Sequence, residues 1–267
     1  MEKNKVSWNL GADNYAKKYH THEIISEILD NPSQAFHKDT WVQLNQYIPD
    51  LKGKRICVPS SGDNHAVFAF AKLGAKVTSC DIAENQLKNA EKIAKKYGLD
   101  KNIDFVCQDT MSLEKIEDNT YDFVYTSNGV HVWINDLNNM YKNIHRILKN
   151  DGLYMMHEIH PFQRPLDDDG KIEKPYDDVG PFDDGQEINF HWRIMDLLNA
   201  ITSSGLNIKH TQEMFCEIDY EEPFWMSLED ILNGKTASKE EVDRMHDWKY
   251  NPVAAIPNWL NVIAKKG

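Results

Sequence analysis

An α/β fold with a doubly wound, mostly parallel sheet is predicted by three features of the 267-residue sequence. Between residues 55 and 160, short β-rich runs alternate with helical stretches, which is the pattern of parallel βαβ units. The runs are apolar almost throughout, as expected of strands covered on both faces. The first two helical stretches each end at a glycine, Gly74 and Gly98.

The predicted elements follow one another in a regular order. Five strands are predicted at residues 55–59, 76–81, 103–108, 121–127 and 153–160. Helices follow the first two strands, in AVFAFAKLG and ENQLKNAEKIAKKYG. Apolar residues at helical spacing predict the crossover helix between strands four and five: Leu137, Met140, Tyr141, Ile144, Ile147 and Leu148. Right-handed crossovers then give one doubly wound sheet.

The remaining sequence extends a single domain over residues 1–267. Residues 1–50 are predicted to form a helical cap, and residues 51–160 the core of the sheet. Residues 161–188 are rich in Pro, Gly and Asp and are predicted to be an insertion or lid. The part from 189 to 267 is predicted to contain a helix at 189–204, strands at 206–215 and 259–264, and an insertion that shapes a substrate pocket.

Composition limits the classes of partner. With 30 basic and 42 acidic residues the net charge is −12, which repels nucleic acid. No stretch approaches the roughly 18 apolar residues of a membrane span, and the start lacks the apolar core of a secretion signal, so a cytoplasmic protein is expected. The four cysteines (Cys57, Cys80, Cys107 and Cys216) lack C-x-x-C spacing and are expected to be buried thiols.

The turn in VPSSGDNHAVFAF, between the first strand and its helix, is the first candidate binding site. Such a turn points backbone N–H groups and a helix N-terminus at a ligand, and small residues allow close approach. Ser60, Ser61 and Gly62 meet that size requirement, and Asp63 or Asn64 can cap the helix.

Carboxylates at the ends of the next two strands strengthen the hypothesis of a nucleoside site. Asp81 lies about 20 residues after the turn, where a carboxylate can accept both ribose hydroxyls, although it can also act as a helix cap. Asp109 and Thr110 offer an acceptor for an exocyclic amine, and Met111 a wall for a purine ring. The alternative for Asp109 is a surface turn.

Residues 55–160 resemble a class I S-adenosylmethionine-dependent methyltransferase that acts on small molecules. The resemblance lies in GAKVTSCDIAENQLKNAEK, FVCQDTMSL and NTYDFVYTSNGVHVWINDLNNMYKNIHRILKNDGLYMMHE. It implies a Rossmann-like, seven-stranded sheet whose last strand, WLNVIA, is antiparallel, and a first helix in WNLGADNYAKKY that closes over S-adenosylmethionine. The cofactor-binding residues are then expected to be Tyr15, Tyr19, Pro59, Ser60, Ser61, Gly62, Asn64, Asp81, Ile82, Gln86, Asp109, Thr110, Met111, Ser127, Asn128 and Gly129.

The turn departs from the family pattern. An acidic residue and G-x-G-x-G are usual, and they fall here on Val58, Ser60, Gly62 and Asn64. Serine is a small replacement for glycine, and S-adenosylmethionine has no phosphate to approach closely. The ammonium group of the cofactor is expected to contact Asp63, another carboxylate or a backbone carbonyl.

Candidate catalytic residues follow strands four and five. His131, His157 and His160 can each accept a proton near neutral pH, with a buried structural histidine as the alternative for each. Alternation along the strand places His157 on one face and Glu158 with His160 on the other. No metal is expected, because the two histidines of HEIH lie on opposite faces of a strand.

Four residues are expected to line the substrate pocket: Trp133, Glu158, His191 and Trp192. Tyr15 and Tyr19 share a helix face and can offer cation–π contacts to a sulfonium or form an apolar staple. The acidic insertion (DDDG, DDVG and FDDG) is a solvated loop, a mobile lid that favours a cationic substrate, or a calcium site. The expected function is methyl transfer to a small molecule. The alternatives are a protein that binds the cofactor without transfer and an NAD-dependent oxidoreductase.

Overall fold

The computed structural model of the protein describes residues 2–62, 64–167, 170–215 and 236–267. Three helices come first: α1 (Glu2–Tyr19), α2 (His22–Asp30) and α3 (Lys38–Tyr47). Strands and helices then alternate as β1 (Arg55–Pro59), α4 (His65–Lys72), β2 (Lys76–Asp81), α5 (Glu84–Lys96), β3 (Ile103–Cys107), β4 (Tyr121–Ser127), α6 (Leu137–Ile147) and β5 (Leu148–Ile159). The later elements are β6 (Phe182–Asp183), β7 (Ile188–Asn189), α7 (Ile194–Ser203), β8 (Leu206–Met214), α8 (Lys239–His246) and β9 (Trp259–Lys266).

Seven strands form the main sheet in the order β3-β2-β1-β4-β5-β9-β8. The strands β1 to β5 pair in parallel, whereas β9 pairs antiparallel with both β5 and β8. The predicted fold class, with its antiparallel last strand, is confirmed. Strand order reverses between β1 and β4, and in such sheets ligands bind beyond the carboxyl ends of the strands at that point.

Two predicted starts differ from the structure by five residues. β5 begins at Leu148, directly after α6, because a register shift in its pairing with β4 and a left-handed Asp151 (φ 64°) absorb the turn-like sequence KNDG within the strand. The helix predicted at 189–204 begins at Ile194, because Asn189 pairs with Phe182 in the two-stranded hairpin β6–β7.

A hydrophobic cluster covers each face of the sheet. One contains Phe68 and Phe70 of α4, and Phe70 packs against Phe123 and Tyr125 of β4. The other contains the apolar face of α6 with Ile201 of α7. The central strands are therefore buried on both sides, which explains their continuous apolar sequence.

Several predicted features lie outside the described residues: Asp63, Cys216 and two aspartates of the DDDG motif, Asp168 and Asp169. Within the described ranges, no helix has both the length and the apolar character needed to cross a membrane. The same ranges contain no cluster of three or more His, Cys, Asp or Glu side chains arranged to hold a metal ion.

Candidate functional site

A large cavity lies at the carboxyl ends of β1 to β4, and we call it the main cavity. Its empty space, counted to the open mouth, is about 1060 Å³. The predicted residues that line it are Tyr15, Ser60, Ser61, Gly62, Asn64, Asp81, Ile82, Gln86, Asp109, Thr110, Ser127, Asn128, Gly129 and Trp133.

The turn after β1 is held by backbone hydrogen bonds. The amide N–H of Ser61 donates to the carbonyl of Cys80 on β2 (3.0 Å), and that of Asn64 donates to the carbonyl of Ser61 (2.8 Å). Asn64 caps α4, since its side-chain oxygen accepts the N–H of Ala66 (2.9 Å). Asn64 is thus the cap, while Asp63 lies outside the described residues.

Ser60 and Gly62 both adopt left-handed backbone conformations in this turn. Ser60 has φ 50° and Gly62 φ 49°. A side chain in that region is strained, and the Ser60 hydroxyl compensates with a 2.7 Å hydrogen bond to the hydroxyl of Thr110. Serine therefore takes up a backbone conformation that favours glycine.

Two backbone N–H groups hold the Asp81 carboxylate in place. Its Oδ2 accepts the N–H of Gly62 (2.8 Å), and its Oδ1 accepts the N–H of Ala83 (2.7 Å). A Cβ added at Gly62 would lie 3.8 Å from Asp81 Oδ2, so the turn and the carboxylate are close neighbours. Asp81 is not the cap of α5, which is Ala83, but it binds the Ala83 backbone just before that helix and also lines the main cavity.

Asp109 and Thr110 line the cavity after β3, but Met111 does not. Asp109 Oδ1 accepts the N–H of Met111 (2.8 Å), which turns the chain. The Met111 side chain packs in the hydrophobic cluster on the α6 face of the sheet. Met111 as a wall for a purine ring is therefore wrong, since the turn directs its side chain into the core.

The turn after β4 presents its backbone to the cavity. Asn128 (φ 59°) and Gly129 (φ 80°) are both left-handed, and the N–H of Asn128 donates to the carbonyl of His157 on β5 (3.0 Å). The Ser127 hydroxyl accepts a hydrogen bond from the Asn64 side chain (2.7 Å). This bond links the turns after β4 and β1 across the point where strand order reverses.

Helix α1 forms part of the cavity wall. Tyr15 and Trp8 line the cavity, whereas Tyr19 packs beside Tyr15 at 4.5 Å and is not in the wall. The Tyr19 carbonyl accepts a hydrogen bond from His65 Nε2 (2.7 Å), which ties the end of α1 to α4. Pro59, which pairs with Cys80 on β2, also lies outside the described wall.

The acidic insertion holds the start of α1 in place through the hairpin β6–β7. Asn4 and Ile188 exchange two hydrogen bonds: the Asn4 Nδ2 donates to the Ile188 carbonyl (2.8 Å), and Asn4 Oδ1 accepts the Ile188 N–H (2.7 Å). Additional contacts join Lys3 to Asp183 (2.7 Å) and Ser7 to Glu187 (2.6 Å). We call this set of contacts the α1–hairpin clasp.

His131 is buried away from the main cavity. Its Nδ1 lies 2.7 Å from Glu158 Oε2, which also accepts the His131 backbone N–H (3.0 Å), and its Nε2 lies 2.7 Å from the Tyr141 hydroxyl. Burial alone would raise the pKa of Glu158, but the hydrogen bonds from His131 and the charges of His131 and Arg164 outweigh it and hold that pKa at about 2. Both predicted residues therefore belong to a buried polar cluster.

His157 and His160 also lie outside the described wall of the main cavity. His157 Nδ1 donates to Asn261 Oδ1 (2.7 Å), and its ring stacks on Trp259 at 4.8 Å. Burial lowers the pKa of His157 to about 4, so the ring is neutral at physiological pH. His160 is fully buried and caps the turn at Pro161–Gln163. None of the three histidines is found in the described wall of the main cavity, so the structure does not support a direct catalytic contact for them.

His191 and Trp192 lie beside the buried cluster rather than in the main cavity. Trp192 donates its indole N–H to the Ile134 carbonyl (2.9 Å) and lines a small second cavity with His131, Glu158 and Arg164. His191 packs 4.6 Å from Phe182, and burial together with the charges of Arg164 and Lys174 lowers its pKa to about 4. Of the four predicted pocket residues, Trp133 alone is found in the described wall of the main cavity.

The part of the chain that forms most of the main cavity resembles known proteins. Residues 59–156, which include the β1 turn, Asp81 and the β4 turn, match the family model described as a methyltransferase domain. The matched residues are 98 of the 267 in the chain, and they resemble that domain. They include most of the strands whose ends form the main cavity.

Two curated methyltransferases resemble the chain over different lengths. A phosphoethanolamine N-methyltransferase from Triticum aestivum is 31% identical over 46% of this chain and 24% of its own length. A 24-methylenesterol C-methyltransferase from Arabidopsis thaliana is 24% identical over 97% of this chain and 67% of its own length. The chain therefore spans about a quarter to two thirds of the length of these methyltransferases.

Solved structures share the fold of this methyltransferase domain. An S-adenosylmethionine-dependent methyltransferase from Mesorhizobium loti superposes with a TM-score of 0.61 at 22% identity, covering 89% of this chain and all of that one. The [4+2]-cyclase SpnF superposes with a TM-score of 0.59 at 18% identity, covering 85% and 80%. At these identities the likeness establishes the fold.

Six wall residues of the methyltransferase domain and its flanking helices were not predicted: Asn4, Trp8, Ala35, His65, Val130 and Ile134. The pattern that reveals two of them is the helical spacing of Asn4, Trp8 and Tyr15, which places them on one face of α1. His65 opens α4 directly after its cap, where the helix N-terminus faces the cavity. Burial, together with the neighbouring His20, lowers the pKa of His65 to about 4.

Proposed function

We propose that the protein binds S-adenosylmethionine in the main cavity and transfers its methyl group to a small-molecule acceptor. The observation that carries this proposal is the convergence of the β1 turn with Asp81 and Asp109 at the carboxyl ends of neighbouring strands. A nucleoside needs hydroxyl acceptors at one strand end and an acceptor for an exocyclic amine at the next.

The residues present fit such a cofactor. Each carboxylate oxygen of Asp81 is oriented by a backbone N–H, and a carboxylate in the cavity wall is a suitable acceptor for ribose hydroxyls. Asp109 supplies the acceptor for the adenine amine, and the small residues of the β1 turn leave room for the methionine portion. The bound cofactor supplies a methyl group on a sulfonium, which reacts by in-line displacement.

The chain's own residues then align the reactants and exclude water. The β4 turn presents backbone groups of Ser127 to Gly129 to the reacting end of the cavity. Helix α1, fixed by the α1–hairpin clasp, covers the site. No histidine of the buried clusters is needed for this role, since an acceptor that is already deprotonated requires no general base.

Calorimetric titration with S-adenosylmethionine, S-adenosylhomocysteine and NAD tests the binding part. We expect both adenosyl ligands to bind and NAD not to bind, since the turn lacks the third glycine that a pyrophosphate requires. NAD binding alone would support an oxidoreductase instead. A transfer assay over an acceptor panel then separates an enzyme from a protein that binds the cofactor without transfer. The cytoplasmic location and the exclusion of nucleic acid remain predictions.

A further inference from the structure

The main cavity has two distinct ends, which the strand order defines. Asp109 and Asp81 follow β3 and β2 on one side of β1, whereas Val130 and Trp133 follow β4 on the other side. Under the proposed function the nucleoside lies at the two carboxylates. The sulfur atom and the methyl acceptor then lie towards Trp133.

Three aromatic side chains meet at that acceptor end. Trp8 packs edge-to-face against Trp133 with ring centroids 5.5 Å apart and ring planes at 90°. Tyr15 lies 6.3 Å from Trp8 at 69°. All three side chains are half-buried and line the main cavity. Because the ring planes are steeply inclined to one another, the rings form adjoining walls of the cavity. We call Trp8, Tyr15 and Trp133 the aromatic corner.

The charge of the wall favours a positive ligand. The described residues of the wall include Asp81 and Asp109 but neither lysine nor arginine. His65, also in the wall, adds no positive charge at neutral pH because burial lowers its pKa to about 4. A phosphorylated or carboxylated acceptor therefore meets no counter-charge among these residues.

Two polar side chains of the cavity wall already have partners within the protein. Asn4 exchanges its two hydrogen bonds with the backbone of Ile188, and Ser127 accepts one from Asn64. A primary ammonium group needs several hydrogen-bond acceptors, whereas an alkylated nitrogen needs ring faces. The aromatic corner offers the second kind of surface.

We propose that the aromatic corner binds the nitrogen of a small tertiary amine, which is the methyl acceptor and leaves as a quaternary ammonium ion. This inference rests on the proposed function and names its substrate class. Aromatic faces attract the positive charge that develops on nitrogen, and the attraction is strongest where water is excluded.

The transfer balances without a co-reactant. The nitrogen lone pair forms the new bond to the methyl carbon, while the carbon–sulfur bond breaks and its electron pair stays on sulfur. The positive charge moves from sulfur to nitrogen. A neutral tertiary amine has no N–H to lose, and an amine that arrives protonated gives its proton to water before it reacts.

Two titrations of the protein saturated with S-adenosylhomocysteine test the inference. Choline represents the quaternary ammonium product, and 3,3-dimethylbutan-1-ol is its uncharged carbon isostere. We expect choline to bind at least about tenfold more tightly, which corresponds to about 1.4 kcal/mol. Equal or tighter binding of the alcohol, or no binding of choline, overturns the inference and points to an uncharged acceptor.

Tryptophan variants locate the effect. Trp133→Leu is expected to weaken choline binding by about tenfold and to change the affinity for S-adenosylhomocysteine by less than about twofold. Trp133→Phe should retain most of the affinity for choline. Trp248→Leu is the matched control, since Trp248 is exposed and lies outside the cavity wall. Unchanged choline affinity in Trp133→Leu and Trp8→Leu overturns the assignment. Failure to bind S-adenosylhomocysteine at the outset is a different result and removes the proposed function itself.

Discussion

The backbone N–H of Gly62 donates a 2.8 Å hydrogen bond to Oδ2 of Asp81, joining the turn after β1 to the carboxylate after β2. Asp81→Ala removes this bond and the two acceptors proposed for ribose. Each hydrogen bond to a charged group contributes roughly 1.5–3 kcal/mol, so the affinity for S-adenosylhomocysteine should fall at least about tenfold. Calorimetric titration measures the affinity for S-adenosylhomocysteine. Asp104→Ala, at an exposed position on β3, is the control, and unchanged affinity in Asp81→Ala contradicts the ribose assignment.

The left-handed backbone of Ser60 predicts opposite outcomes for two substitutions. Ser60→Gly relieves strain of roughly 1–2 kcal/mol but loses the hydrogen bond to Thr110, worth roughly 0.5–1.5 kcal/mol, so the free energy of unfolding should stay within about 1 kcal/mol. Ser60→Val adds a β-branched side chain there and should cost about 2–3 kcal/mol. Urea unfolding tests both. Ser203→Val, on the exposed side of α7, should change little, and a tolerated Ser60→Val would argue against the strained turn.

The hydrogen bonds that Glu158 accepts from His131 predict a pH-dependent stability. The pKa of Glu158 in the folded protein, about 2, lies below its ordinary 4.5, so its contribution is complete above pH 4.5 and is lost as pH falls towards 2. Glu158→Gln should lower the free energy of unfolding by roughly 3 kcal/mol at pH 7. This deficit should shrink between pH 4.5 and 2. Glu117→Gln, at an exposed position, is the control, and a deficit independent of pH would contradict the pairing.

The buried, neutral ring of His157 predicts that the folded protein loses stability in mildly acidic solution. Its folded pKa of about 4 is below the ordinary 6.5, so the unfolded chain takes up the proton first and stability falls as pH drops from 6.5 to 4. The loss from this residue amounts to roughly 3 kcal/mol. His157→Gln removes the titration and should flatten the stability profile in this range, as measured by urea midpoints at several pH values. If the slope of stability against pH is unchanged in His157→Gln, other groups cause the loss of stability.

The α1–hairpin clasp predicts the residence time of the cofactor. Asn4→Ala removes both hydrogen bonds to Ile188, each worth about 1 kcal/mol, so α1 should lift more often. We expect the dissociation rate of S-adenosylhomocysteine, followed by stopped flow, to rise at least about tenfold. Asn45→Ala, which removes a hydrogen bond within α3 alone, should have no effect on that rate. An unchanged rate in Asn4→Ala would mean that α1 does not limit release.

The fold and most of the wall of the main cavity could be predicted because both depend on local sequence. Parallel strands place their carboxyl ends at one edge, so residues such as Asp81 and Asn128 converge wherever the strands form. The β6–β7 hairpin could not be predicted in this way. Its two-residue strands carry no periodicity, and its position depends on contacts with α1 that lie far away in the sequence.

The histidines show what the sequence could not predict about the candidate site. Alternation along β5 separates His157 from Glu158 correctly, but it does not reveal which helices cover each face. Both faces are covered, so these side chains bond within the core. The aromatic corner was missed in part because Trp8 and Trp133 are separated by 125 positions and meet only in the folded protein.

The α1–hairpin clasp also sets an order of assembly. Lys3 and Ser7 of α1 are synthesised 180 residues before their partners Asp183 and Glu187. Until the hairpin has been made, α1 lacks these contacts. The cavity therefore gains this part of its wall only after the strands beneath it, β1 to β5, have been synthesised.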